Sequence, residues 1–262
     1  MANFPCAFLS EDDKIKLNQI VTYEEKKARL WALKPFKAPG VDGLHACFFQ
    51  LFWNEVSELV CKEVGTIFST RVVLEYLNKT LIALIPKCPN PESINNYKPI
   101  SLCNSIYKIV TKVIIARLRP LLSSQISPMQ AAFVPRRRGL DNIIIAQELI
   151  QSINKKKGKI WYMVIKVDLE KAYDRLEWNF IHKVLQAFHF LDQLIKLIMS
   201  CISSTSISIL FNGGAIETFS PRDNIGISHL FFADDFMLIA KASEDNYEAI
   251  MEVLECFRAE SG

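Results

Sequence analysis

An α/β (α+β) fold, mostly helical with a small antiparallel sheet, is predicted by three features of the chain. Apolar residues recur at three- and four-residue steps over 44–70 and 105–118, the stripe of an amphipathic helix. Short apolar runs at 78–87, 161–168 and 206–211 have the length of strands. In the stretch 229–239, Asp234 and Asp235 sit between two apolar runs, 230–232 and 236–239. Those runs suit two buried strands, with Ala233-Asp234-Asp235 at or near a tight turn.

The bulk properties set limits. With 262 residues, 50% of them hydrophobic, the chain can bury a sizeable core in one large or two small domains. A net charge of +3 permits a nucleic-acid partner without arguing for one; local patches decide. The seven cysteines are scattered, and no CxxC pair occurs. That pattern predicts reduced thiols in an intracellular protein, not a disulfide framework or a zinc site. No secretory leader is visible, and no apolar stretch reaches the ~20 residues of a membrane span.

Taken in order, Ser10 and Thr22 are candidate helix starts, the second with Glu25 three residues on as a capping box. Ile20, Leu30 and Leu33 are candidate core residues. Two prolines and two glycines in 34–43 predict a defined loop, which carries Lys37. The pattern over 44–70 predicts a long core helix with Phe48, Leu51, Phe52, Val56, Leu59, Val60, Val64, Ile67 and Phe68 inward. A buried strand over 78–87 ends on Lys87, and 95–104 opens a helix that runs through Arg119. Lys108, Lys112, Arg117 and Arg119 add positive charge to that helix. Arg136, Arg137 and Arg138 then form a basic run, suited to a nucleic-acid backbone or to a solvated face. A helix is predicted over 141–153, a strand over 161–168, and helices after Leu176 and over 192–203. Residues 206–211 alternate as a strand, and Asn212-Gly213 is a hairpin signal.

Three carboxylates carry the candidate chemistry. Asp168 ends a strand, and Asp234 and Asp235 sit in the predicted hairpin. Like charges repel, and partly buried carboxylates lose hydration, but divalent cations such as Mg²⁺ relieve both costs. Two metals about 3.5–4 Å apart clamp the attacking and leaving oxygens of a phosphoryl transfer. A solvated Asp-Asp turn is the plainer alternative.

The strings VDLEKAYDRLEW (167–178) and FFADD (231–235) resemble the two metal-binding motifs of reverse transcriptases. KAPGVDG (37–43), LIPK (84–87) and QAAFVP (130–135) extend the resemblance toward the polymerase domain of plant non-LTR (LINE-type) retrotransposons, over about 33–242. A group II intron maturase matches less well. The resemblance implies a right-hand polymerase, with a helical lead-in at 1–33, fingers at 34–159, a partial palm at 160–262 and no thumb. It implies an RNA-directed DNA polymerase using two Mg²⁺ ions (Mn²⁺ as a substitute), an RNA template, a DNA primer and dNTPs, in nucleus or cytoplasm. By the same resemblance Asp168, Asp234 and Asp235 are metal ligands, Lys87 and Lys98 hold nucleotide or template, and Tyr173 is the aromatic gate against a 2′-hydroxyl. Lys37, Arg136, Arg137 and Arg138 are nucleic-acid contacts.

Three departures stand out. Lys98 replaces the arginine usual in the family, and Arg136 stands where glycine is usual. The family's template-gripping stretch between the two Asp motifs is missing: Asp168 and Asp234 are only 234 − 168 = 66 positions apart. Three readings follow: a polymerase domain, against whose full activity the missing stretch weighs and which is then degenerate; a catalytically inactive nucleic-acid-binding remnant; and a non-functional remnant that folds poorly.

Overall fold

The computed structural model describes residues 9–155, 161–168, 176–211, 213–216, 218–220 and 235–261. They fall into two compact units. The first comprises Met1–Leu118 with His182–Arg222, and the second Arg119–Ile181 with Asp223–Gly262.

In the first unit, α1 (Glu11–Asn18) and α2 (Tyr23–Trp31) begin at side-chain caps. Ser10 Oγ accepts from the Asp13 N–H and Thr22 Oγ1 from the Glu25 N–H, each at 3.1 Å. Each cap satisfies an amide that the first helical turn leaves unpaired. The expected long helix is broken into α3 (Ala46–Leu51) and α4 (Trp53–Thr70). Phe52 leaves helical geometry between them, at φ −98° and ψ 28°. The break changes the facing of the apolar residues: Leu51, Phe52 and Leu59 are exposed, while Phe49, Trp53, Val60, Val64 and Ile67 are buried. Ile20 is likewise exposed, at 90%, whereas Leu30 and Leu33 are buried.

The α5 helix (Ser105–Leu118) supplies the centre of this core with Ile109, Val110 and Val113, all fully buried. Lys26 is buried among these helices, its ammonium donating to the Cys61 carbonyl at 2.9 Å. The sheet beside them has the order β2-β1-β4-β5, with β1 (Lys79–Pro86), β2 (Tyr97–Cys103), β4 (Ser206–Phe211) and β5 (Gly214–Ala215). β1 pairs antiparallel with β2 and parallel with β4. Residues 97–103 are therefore a strand, and the helix begins only at Ser105. Pro99 explains the shift, because its ring removes a helical N–H and clashes with a preceding turn. The hairpin expected at 212–213 closes β4 onto β5, with Gly213 at φ +81°.

Asn78 ties the two parallel strands together from a buried position. Its amide donates to the Cys201 carbonyl, Ser204 Oγ and Thr205 Oγ1 at 2.8–2.9 Å, just before β4 begins. Its own carbonyl accepts from the Ser206 N–H. The helix α9 (Asp192–Ser203) fits the expected bounds and buries Leu194, Ile195, Leu197 and Cys201. Burial pushes the Cys201 thiol up to about 12. Cys47, Cys61, Cys88, Cys103 and Cys201 are free thiols.

The second unit holds α6 (Leu122–Gln125), α7 (Gly139–Lys155) and α10 (Glu244–Ser261). It also holds a two-stranded antiparallel ladder of β3 (Tyr162–Asp168) and β6 (Asp235–Lys241). The helix α8 (Trp178–Ala187) starts in this unit, and Phe180 packs edge-to-face on Phe257 at 5.9 Å. The apolar residues Phe180, Val184 and Leu185 of α8 are half-buried. No helix among the described residues is long and apolar enough to cross a membrane.

Candidate active site

The strands β3 and β6 are built from β-branched and long apolar residues: Val164, Ile165 and Val167 on one, Phe236, Met237, Leu238 and Ile239 on the other. Their register runs from Tyr162↔Lys241 to Asp168↔Asp235. Asp168 is the last residue of β3 and Asp235 the first of β6, so the pairing sets two acidic residues directly opposite at one end of the ladder. Opposed Cα atoms in an antiparallel pair lie about 4.5–5.5 Å apart. Two like charges so placed are destabilising without a counterion. This juxtaposition joins residues 67 positions apart (235 − 168), and it is the acidic pair nearest to what the motifs imply.

Asp235 is the first residue of its strand. Asp234 and Tyr173 lie outside the described residues. So do residues 221–234, with the first of the two strands expected around the Asp pair. Among the described residues, no group of three His, Cys, Asp or Glu side chains comes together as a metal site.

The basic candidates divide between the units. Lys98 stands opposite Ile85, and the Lys87 N–H donates to the Asn96 carbonyl at 2.7 Å, which carries the ladder one step further. Lys87 and Lys98 are thus diagonal neighbours at one end of the β1–β2 ladder, both exposed. The Lys87 ammonium donates to the Asn95 carbonyl at 3.0 Å.

Lys37 is exposed on the loop 34–43, which is anchored at the opposite end of that ladder. Asn104 follows β2 directly, and its side chain is the anchor. Oδ1 accepts from the Asp42 N–H at 3.4 Å, and Nδ2 donates to the Tyr76 and Leu77 carbonyls at 3.3 Å. His45 Nδ1 lies 2.9 Å from the Lys37 carbonyl, and Ser105 Oγ donates to the Leu44 carbonyl. The sequence reading missed Asn104. Its place just before the periodic residues of α5 marks a helix start, and nothing local says that its side chain serves another segment.

In the second unit, Arg136 and Arg138 are exposed and Arg137 is half-buried. Arg136 adopts φ +66°, the left-handed region that glycine enters at no steric cost. The departure at this position is therefore strained: the backbone keeps a conformation suited to glycine. Arg136→Gly is expected to raise stability by about 1 kcal/mol, read as a shift in the urea midpoint at constant slope.

The arginine expected to add surface charge to α5 is instead structural. Arg117 binds Glu25 through two nitrogens, at 3.0 and 2.7 Å. It also donates to the carbonyls of Leu17, Gln19 and Ile20.

Comparison with known proteins bears on this arrangement. The family model for reverse transcriptase (RNA-dependent DNA polymerase) matches residues 85–262, which include both opposed aspartates. The chain is also similar to the transposon TX1 uncharacterized 149 kDa protein of Xenopus laevis, at 28% identity over 204 residues. That match covers 78% of this chain and 15% of the Xenopus protein, so the chain spans a small part of the relative's length.

Proposed function

The chain belongs to the reverse transcriptase family, and from that premise we propose that it carries the nucleotidyl-transfer site of a non-LTR retrotransposon polymerase of the plant type. The observation that carries this reading is the pairing of Asp168 with Asp235 at the ladder end. Carboxylate oxygens are the donors that hard divalent cations take. Asp168, Asp234 and Asp235 would hold two Mg²⁺ ions, or Mn²⁺ in their place. Such ions, when bound, lower the cost of deprotonating the primer 3′-hydroxyl and of the charge on the leaving pyrophosphate.

The other residues bind and orient. Lys87 and Lys98 share one ladder end, where two ammonium groups suit the triphosphate of an incoming dNTP. Lysine at position 98 keeps the charge but gives up the two-pronged grip of arginine. Tyr173, five residues past Asp168, is the ring that lies under the sugar and excludes a 2′-hydroxyl. Lys37 and the basic run at 136–138 are the contacts for the backbone of the RNA template and DNA primer, and within the run it is the exposed Arg136 and Arg138 that are free to reach phosphate.

The short interval between Asp168 and Asp234 favours a second feature of the reading, that this domain is degenerate. Positioning of template, primer and nucleotide supplies much of the rate in phosphoryl transfer. Without the stretch that grips the template, the metal site persists and turnover falls.

Two measurements test this reading. Mg²⁺ or Mn²⁺ is expected to raise the melting temperature of the intact chain and to have no such effect on Asp168→Asn, because a ligand that binds only the folded state stabilises it. A metal response equal in both proteins removes the proposed site. Primer extension on an RNA template with dNTPs is expected to give no more product from the intact chain than from Asp168→Asn. Product that vanishes in the variant refutes degeneracy and makes the chain an active polymerase.

A further inference from the structure

The three consecutive arginines are not equivalent. The Arg137 guanidinium donates to four backbone carbonyls: Nη1 to Ser127 and Gln130, Nη2 to Ser123 and Ile126. Three of these bonds measure 2.7, 3.0 and 3.0 Å (Gln130, Ser123, Ile126). The two terminal nitrogens carry four N–H donors between them, and the four carbonyls match that number. All four acceptors lie in 123–130, the segment leading from α6 into the arginine run. A second tie crosses the same segment, from Asn142 Nδ2 on α7 to the Met129 carbonyl at 2.7 Å.

The backbone sorts the neighbours the other way. Val134 is buried, and the Arg137 N–H reaches back to its carbonyl at 3.4 Å. The turn places Arg136 in the left-handed region, and both Arg136 and Arg138 are exposed. A phosphate that reaches Arg137 must displace carbonyls already bonded and so gives up four existing hydrogen bonds for its own. A phosphate that reaches Arg136 or Arg138 displaces only water.

We propose that Arg137 is a positioning residue: its guanidinium closes the 123–130 segment onto the arginine run, so that nucleic-acid phosphate meets Arg136 and Arg138 and not Arg137. The partner rests on the polymerase reading above; the clamp does not.

The test uses the full chain and a labelled single-stranded RNA oligonucleotide, with binding measured across a salt series and backbone amide exchange followed in parallel. Each neutralised phosphate on a single strand contributes about 0.7 to the slope of log K against log salt. The double variant Arg136→Gln with Arg138→Gln is expected to lose about 1.4 of slope and to leave amide protection over 123–139 unchanged. Arg137→Lys keeps the charge, but its compact ammonium cannot span four carbonyls. It is expected to lose amide protection over 123–139 while its melt stays cooperative, and to keep the slope of the parent. Unchanged protection in Arg137→Lys overturns the clamp. A slope loss of about 0.7 in Arg137→Gln, matching either neighbour alone, overturns the assignment of phosphate to the flanking pair. A parent chain that binds no RNA removes the phosphate half together with the polymerase reading, and the exchange result then decides the clamp alone.

Discussion

Replacement of Arg117 by alanine is expected to destabilise the first unit by about 3–5 kcal/mol, the cost of breaking a largely buried pair and leaving its partner uncompensated. The Glu25–Arg117 pair closes at 2.7 Å with side chains only 22% and 12% exposed. Arg117 joins α5 to the start of α2 and also caps the carbonyls that follow α1, so one side chain fixes three helices. Its guanidinium also lies 5.8 Å from the centre of the Phe68 ring on α4. The loss corresponds to a fall of roughly 10 °C in melting temperature for a unit of this size. Arg117→Lys should fall between, since a lysine keeps the charge and loses the two-pronged geometry. Arg119→Ala, at an exposed position two residues on, should change stability by less than about 0.5 kcal/mol. A thermal melt that ranks Arg117→Ala with Arg119→Ala would remove Arg117 from this role.

Gly40→Ala is expected to be the most damaging small substitution in the loop 34–43. A Cβ there would lie 2.2 Å from Asn104 Oδ1, 2.5 Å from Asn104 N and 2.6 Å from the Cys103 carbonyl carbon. Two of those atoms are backbone at the β2–α5 junction and cannot move aside alone. Overpacking of this kind costs about 1–3 kcal/mol and sometimes more. It should also break the Asn104–Asp42 bond that anchors the loop, which frees Lys37 from its place. Gly43 provides the contrast: its φ is +67°, but a Cβ would meet nothing within 4 Å. Gly43→Ala therefore carries only the conformational cost, about 1 kcal/mol. Denaturant titration of both variants checks the order, and Gly43→Ala falling furthest would contradict the packing argument.

The glycines of this loop mark a limit of sequence reading. The string Lys37-Ala-Pro-Gly-Val-Asp-Gly43 announces a turn through its composition, and the loop is there. The two glycines serve different ends, one admitting the β2–α5 junction and one allowing a positive φ, and only the fold separates them. The helix starts at Ser10 and Thr22 were legible for the opposite reason: a cap is a bond between a side chain and an amide three residues away. The same locality made the bounds of α9, β4 and the Gly213 hairpin readable. Local chemistry failed where packing chose the outcome. The apolar stripe of 44–70 did not reveal the break at Phe52.

The candidate site divides along the same line. The sequence by itself marked Asp168, Asp234 and Asp235 as the candidate carboxylates, and Asp168 ends and Asp235 begins a strand. The resemblance marks position 136 as one where glycine is usual, and the backbone there is left-handed. Only the tertiary structure decided that Asp168 and Asp235 face one another, since strand pairing depends on the register of segments far apart in the chain. It likewise decided that Arg117 and Arg137 spend their charge on carbonyls and, for Arg117, on the half-buried Glu25. Composition counts a guanidinium as positive surface, but the acceptors that surround it come from other segments, and folding alone brings them within reach.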